Sequence, residues 1–283
     1  MRKQRSLSLA LALAVWMASC TTPEAVRQFT AAAKDSTALF PPVARDITAS
    51  CIRTQMAERP LTEIADVGPQ AMAACKPLAD QEPNLLGALK VLTAYFAALN
   101  QLAGDGLASY DKEIDQFAAS IQSAGALGAP EVKAVKGLAK FLLDAAASGY
   151  QRKHLGHALK AADADVAVLT GALGKIVEAD YGRLLNIEQD ALRTRYREAL
   201  VADKNPSTVA QALLQERWRA DLATLDGKRR AAKDVAAMLE KIRDGHHKLA
   251  EQVDHWTTPE FIKTLNPYTA GIRDLAADFR TAF

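Results

Sequence analysis

Aromatic side chains are scarce in this chain, at 6% of residues within a composition that is 49% apolar. Runs of β-branched residues, the usual material of strands, are missing as well. What fills the space is alanine, at 56 of 283 residues, the residue of highest intrinsic helix propensity. The two absences and the one excess together predict an all-α fold. No apolar run after Cys20 reaches the roughly 20 residues that a transmembrane helix needs, so the body reads as a soluble domain long enough to bury a real core.

An excess of one charge is also lacking, with 35 Lys and Arg against 33 Asp and Glu. The formal charge of +2 falls to −1 once the three cations Arg2, Lys3 and Arg5 are set aside. Nothing in this balance supports binding to nucleic acid. Catalytic signatures are missing too: there is no GxSxG elbow, no P-loop and no dinucleotide fingerprint. The chain therefore reads as a non-enzyme that needs no cofactor.

The N-terminus carries more information. Three cations in MRKQR precede the apolar stretch SLSLALALAVWM, which is about twelve residues long and too short to anchor in a bilayer. It ends in Met17, Ala18, Ser19 and Cys20. This segment resembles the lipobox of bacterial lipoproteins, with Met17 in place of the usual leucine. The resemblance covers the first twenty residues only. It implies that residues 1–19 are a signal peptide, that Cys20 becomes the acylated N-terminus of a mature domain 20–283, and that the lipid is the only attached group. Thr21 and Thr22 follow the cysteine, not the aspartate that favours inner-membrane retention in enteric bacteria. The implied address is the outer membrane, facing the periplasm.

Cysteine is sparse, with three in all. If Cys20 is acylated, Cys51 and Cys75 remain as a pair in an oxidising compartment and are expected to form a disulfide. The segment between them holds Pro60, Gly68 and Pro69, with Pro77 and Pro83 just beyond, so it is poorly suited to one long helix. A division of the mature domain near residue 83 is possible on the same grounds.

Spacing supplies the architecture. Leu155, Leu159, Ala162, Val166, Leu169, Leu173 and Ile176 follow one another in steps of four and three, as in a coiled-coil seam. The seam shifts near Gly182 and resumes at Leu185, Leu192 and Tyr196. Asn205 and Pro206 read as N-cap and first residue of a returning helix. That helix carries Trp218, Leu222, Leu225, Val235, Leu239, Ile242, His246, Leu249, Val253 and Trp256. Two helices of about 50 residues would form an antiparallel hairpin roughly 75 Å long at 1.5 Å per residue. An earlier seam runs from Leu85 through Leu89, Leu92, Phe96 and Leu99 to Ala103, then from Leu107 to Ile121 after a kink at Gly104, Asp105 and Gly106. The N-terminal helical region, from Glu24 to Arg59, is broken at Pro41 and Pro42. A C-terminal one, from Pro259 onward, is expected to break at Pro267, while Gly149 is a possible division after the helix that begins near Pro130. The expected fold is an elongated antiparallel helical bundle in which the long hairpin exchanges partners with the Leu85–Ile121 region.

Few residues offer chemistry. His247, Glu251 and His255, at i, i+4 and i+8, would share a helix face and are weak candidates for metal ligands. They lack the compact H-E-x-x-H arrangement and a further ligand, so a solvated polar face is the plainer reading and no metal is expected. His246 lies in the apolar seam and reads as a buried, hydrogen-bonded residue. His154 and His157 fall on the surface, and Asp163 and Asp165 point apart. Two basic groups, Lys228, Arg229, Arg230 and Lys233 in one and Arg193, Arg195 and Arg197 in the other, read as solvated faces balanced by Glu198 and Asp226. Lipid at Cys20 and another envelope protein are the expected partners. A membrane-active bundle that binds, bends or inserts into bilayers through the Leu85–Ala103 stretch is the alternative.

Overall fold

The computed structural model describes residues 24–59, 67–104, 112–122, 126–147, 155–202 and 207–282. The signal segment 1–19, Cys20, Leu107, Tyr110, Gly149, His154, Asn205 and Pro206 lie outside them. All regular structure among the described residues is helical. Two N-terminal helices, α1 (Glu24–Thr37) and α2 (Pro41–Ala57), are followed by two short ones, α3 (Val67–Ala74) and α4 (Lys76–Ala79), and by the apolar α5 (Glu82–Ala103). Then come α6 (Lys112–Ser120), α7 (Ala129–Ala147) and α8 (Leu155–Lys175). A π-helical turn (Ile176–Tyr181) joins α8 to α9 (Gly182–Ala202), and α10 (Thr208–Glu251) and α11 (Pro259–Ala282) complete the chain.

Proline sets several of these boundaries. Pro41, Pro77 and Pro83 stand in the first turns of α2, α4 and α5, where a missing N–H costs nothing. The cap of α10 is Ser207, whose side chain accepts from the Ala210 amide at 3.1 Å. This corrects the assignment of that cap to Asn205, because a serine hydroxyl two residues later fills the same role. Pro267 lies inside an unbroken α11, against the expected break. Phe261, Leu265, Ile272, Ala276 and Phe279 are buried on both sides of it, and this continuous apolar face offsets the one backbone bond that proline forgoes. At Gly104 the expected kink is instead the end of a helix, since α5 closes there and α6 begins at Lys112.

Every residue of the seam from Leu155 to Ile176 is buried. The shift beyond it is the π-helical turn, whose wider winding buries Ile176, Val177 and Tyr181 together and re-phases the helix that follows. α10 runs antiparallel along this composite helix. Asp163 meets His246 at one end, Leu185 meets Arg229 in the middle, and Tyr196 meets Asp221 at the other. The 44 residues of α10 span about 66 Å at the α-helical rise.

The rest of the core is laid against this pair. α11 packs on α10, α7 on α8 and α1 on α11, while α5 packs chiefly on α1 and α7 and less on α8. α2 runs parallel to α9, with Asp46 opposite Tyr181, Ser50 opposite Glu188 and Met56 opposite Arg195. One continuous set of buried apolar residues extends from Ala25 to Phe279. Among the described residues one stretch, Lys76–Ala103, has the length and hydropathy to cross a membrane, but 56% of its most apolar window is buried inside the protein. Leu85, Leu89, Leu92, Phe96 and Leu99 all face the core. Each contributes about 1.5–3 kcal/mol there relative to exposure. The disulfide between Cys51 and Cys75 is present, with the Cα atoms 5.9 Å apart. It ties the middle of α2 to the junction of α3 and α4.

Candidate functional site

The weak metal-ligand candidates His247, Glu251 and His255 do not share one helix face. α10 ends at Glu251 and is capped at Gln252, so His255 lies in the turn that follows, exposed and off the helix face. For the same reason Val253 and Trp256 sit beyond the helix, and the Trp256 indole N–H folds back to the Leu249 carbonyl at 3.1 Å. Among the described residues, no group of three His, Cys, Asp or Glu side chains is placed to hold a metal ion.

The histidines form a different arrangement. His246 is fully buried, with its Nδ1 2.9 Å from Oδ1 of Asp163 and its Nε2 2.8 Å from the Tyr95 hydroxyl. A carboxylate can only accept, so Nδ1 carries the proton and Nε2 accepts from Tyr95. Burial pushes the imidazole below its ordinary range, although Asp163 opposes that. His247 takes the second oxygen of the same carboxylate, from Nδ1 at 2.7 Å, and places Nε2 3.1 Å from Glu251. The hydrogen bond to Asp163 raises the His247 pKa, whereas the bond from His246, with further help from His247, outweighs desolvation and lowers that of Asp163. A polar chain thus runs from the core at Tyr95 to the surface at Glu251. His157 is exposed, and Asp165 sits apart against Gly137.

A second polar cluster joins α2, the π turn, α9 and α10. Asp46 accepts from Arg53 at 2.9 and 3.0 Å, from the Tyr181 hydroxyl at 2.6 Å and from Lys228 at 2.9 Å. Burial alone would raise its pKa, but these donors hold the carboxyl below the usual range. The 2% exposed Glu188 accepts from the Ser50 hydroxyl at 2.7 Å and from Arg53 at 2.5 and 3.0 Å. Burial and the bond to Asp46 raise the Tyr181 pKa. The basic group on α10 is therefore not a uniformly solvated face: Lys228 is committed to Asp46, and Arg229 bonds Asp226, Gln189, Asn186 and the Leu185 carbonyl. Arg230 and Lys233 are exposed. In the other basic group, Arg193 pairs with Asp190 while Arg195 donates to the Met56 carbonyl at 2.7 Å.

Above this cluster lies a cleft of about 570 Å³ between α2, α9 and α10. Its apolar lining comes from Met56, Ala57, Val67, Leu192 and Leu225. Arg53, Arg59, Arg195, Arg217 and Lys228 present cations to it, against the two carboxylates Glu188 and Asp221.

Farther along the hairpin, where α9 ends and α10 begins, Leu200, Val201, Val209 and Leu213 are exposed. Beside them a crevice of about 240 Å³ is lined by Tyr196, Leu200, Leu214 and Trp218, with Arg193 and Arg197 at its edge. The Tyr196 and Trp218 rings lie 5.5 Å apart.

Sequence reasoning placed His246 correctly in the core but missed Asp163 as its partner and missed the Asp46–Arg53–Glu188 cluster. One local signal was present. Leu185, Glu188 and Leu192 are spaced by three and four, which puts a carboxylate at a seam position, where an acid requires a cation.

Comparison with known proteins adds no assignment: no family model, no curated protein and no solved structure matches this chain.

Proposed function

We propose that this chain is a lipid-anchored, non-catalytic interaction protein of the bacterial envelope, tethered to the outer membrane through Cys20 and facing the periplasm. In this reading the free end of the α9–α10 hairpin engages another envelope protein. One observation carries it. Val201 at the end of α9 and Val209 and Leu213 in the first turns of α10 are 74%, 69% and 61% exposed, and their chain neighbours Leu200 and Leu214 line an aromatic crevice rimmed by arginines. Clustered exposed apolar residues with aromatic and arginine neighbours have the character of a protein contact surface. The alternative, insertion into a bilayer, would require α5 to leave the core it shares with α1 and α7, exposing Leu89, Leu92, Phe96 and Leu99.

The test places a photo-crosslinking residue at Val201 or Val209 in cells, with Val168 on α8 as an exposed control. A discrete protein adduct from the hairpin positions, absent at Val168 and lost with Leu213→Asp, is expected. Adducts to lipid alone would favour the membrane reading, and no adduct at either position would remove the docking surface. Cys20→Ala should release the chain into the soluble periplasmic fraction. Absence of acyl mass on native Cys20 would defeat the anchor.

A further inference from the structure

The geometry points to a binding site, separate from the hairpin end, in the cleft between α2, α9 and α10: it takes a small anionic amphiphile, with a phosphate or carboxylate head and a short apolar portion. The inference does not depend on the chain's place in the envelope.

Three features carry it. The first is a surplus of cations among the described lining residues. Glu188 is saturated by Ser50 and Arg53, and Asp221 is shared between Tyr196 and Arg217. Arg59 and Arg195, which also line the cleft, have no carboxylate against them among the described residues. The Met56 carbonyl takes one N–H of Arg195, which fixes the guanidinium in place and leaves further donors for an incoming oxygen.

The second feature is preorganisation. Arg53 and Lys228 are held by Asp46, and Arg53 also by Glu188, so an anion meets cations that are already ordered and loses little affinity to side-chain entropy. The third is the apolar lining. Leu192, Leu225, Ala57 and Met56 lie within the same cleft, so a bare inorganic anion would leave that surface unused. A cleft of about 570 Å³ falls in the size range of small-molecule sites. The head group could belong to a membrane lipid or to a free metabolite, since the chemistry recognised is the same.

Titration calorimetry on residues 20–283, the mature chain of the proposed reading, carrying Cys20→Ala so that no acyl group can be attached, tests this with octyl phosphate, octyl glucoside and inorganic phosphate. Octyl phosphate should bind at one site per chain, about tenfold or more tighter than either comparison, and Arg59→Gln with Arg195→Gln should weaken it about tenfold. Thermal melting of that double variant separates lost binding from lost folding, and Lys263→Gln on the exposed face of α11 serves as a matched charge control. Competition by phosphatidylglycerol vesicles would identify a lipid head group as the source. Undiminished octyl phosphate binding in their presence would identify a free solute. Equal affinity for octyl phosphate and octyl glucoside, or unchanged binding in a folded double variant, would overturn the site. Failure here leaves the crosslinking result at Val201 and Val209 untouched, so the two readings fail separately.

Discussion

The hydroxyl of Tyr95 on α5 lies 2.8 Å from Nε2 of His246 on α10, a bond inside the core between helices that otherwise scarcely touch. It makes the charge state of one imidazole a property of the whole bundle. Because burial depresses the His246 pKa below 6.5, the unfolded chain takes up a proton there at a higher pH than the folded chain does. Its contribution to stability is therefore intact above pH 6.5 and falls as the pH drops through that value toward the lower folded one. Asp163, held below 3.8, adds stability that is lost only as the pH falls through its still lower folded value. His247 acts oppositely to His246: its raised pKa gives stability present below 6.5 and lost as the pH rises through the folded value. Melting temperatures from pH 5 to 9 should decline on both sides of a maximum. Tyr95→Phe with His246→Phe should flatten the acid limb, and His247→Gln the alkaline one. An acid limb of unchanged slope in the Phe pair would assign it elsewhere.

Glu188→Ala should be strongly destabilising. It strips Arg53 of one carboxylate and leaves the Ser50 hydroxyl without its acceptor. Breaking a fully buried pair costs about 3–5 kcal/mol. The Arg53 side chain is 35% exposed and keeps Asp46, so about 2–3 kcal/mol is expected. Urea denaturation followed by circular dichroism measures it, and a loss below about 0.5 kcal/mol, the scatter of a surface change, would mean that water replaces Glu188 readily.

How much of this was legible before the fold was known depends on sequence distance. The seam from Leu155 to Ile176, the Leu85–Ala103 core helix and the buried position of His246 follow from local periodicity, and all of them are buried as that periodicity requires. Asp163 lies 83 residues from His246, and Asp46 lies 135 from Tyr181. No local pattern encodes such pairings, because the hairpin and the parallel approach of α2 to α9 create them. His255 misled for the converse reason: a spacing that suits a helix has no meaning past Glu251, where the helix stops.

Removing the disulfide by Cys51→Ser with Cys75→Ser should cost about 3 kcal/mol for a closed loop of this length, with 24 residues separating the two cysteines. At this chain size that lowers the melting temperature by about 5 °C. Alkylation of the unfolded, unreduced native chain should label neither cysteine, and full labelling of both would show the bond to be absent in the native protein.

Gly245→Ala should destabilise in spite of alanine's helix propensity. A Cβ at that position would lie about 2.2 Å from the Phe29 ring, and Phe29 is fully buried against Phe96. Overpacking of this kind costs about 1–3 kcal/mol, against about 1 kcal/mol gained from propensity. A melting temperature at or above that of the native chain would show that α1 yields without penalty.

The π-helical turn at Ile176–Tyr181 gives the long helix a phase joint. Upstream of it the helix is clocked so that Asp163 faces His246; downstream it is clocked so that Tyr181 and Glu188 face α2. The turn takes up one residue more than an α-helical turn would, so ordinary α-helical winding of the same six residues would rotate everything beyond them by about 100°, swinging Glu188 and Arg195 away from their partners while the upstream half kept its register. The winding of this short segment thus acts as a rotation: a one-codon deletion there would leave the two halves nearly in phase, whereas rewinding it at full length would uncouple the cleft from the core without altering a single side chain of either.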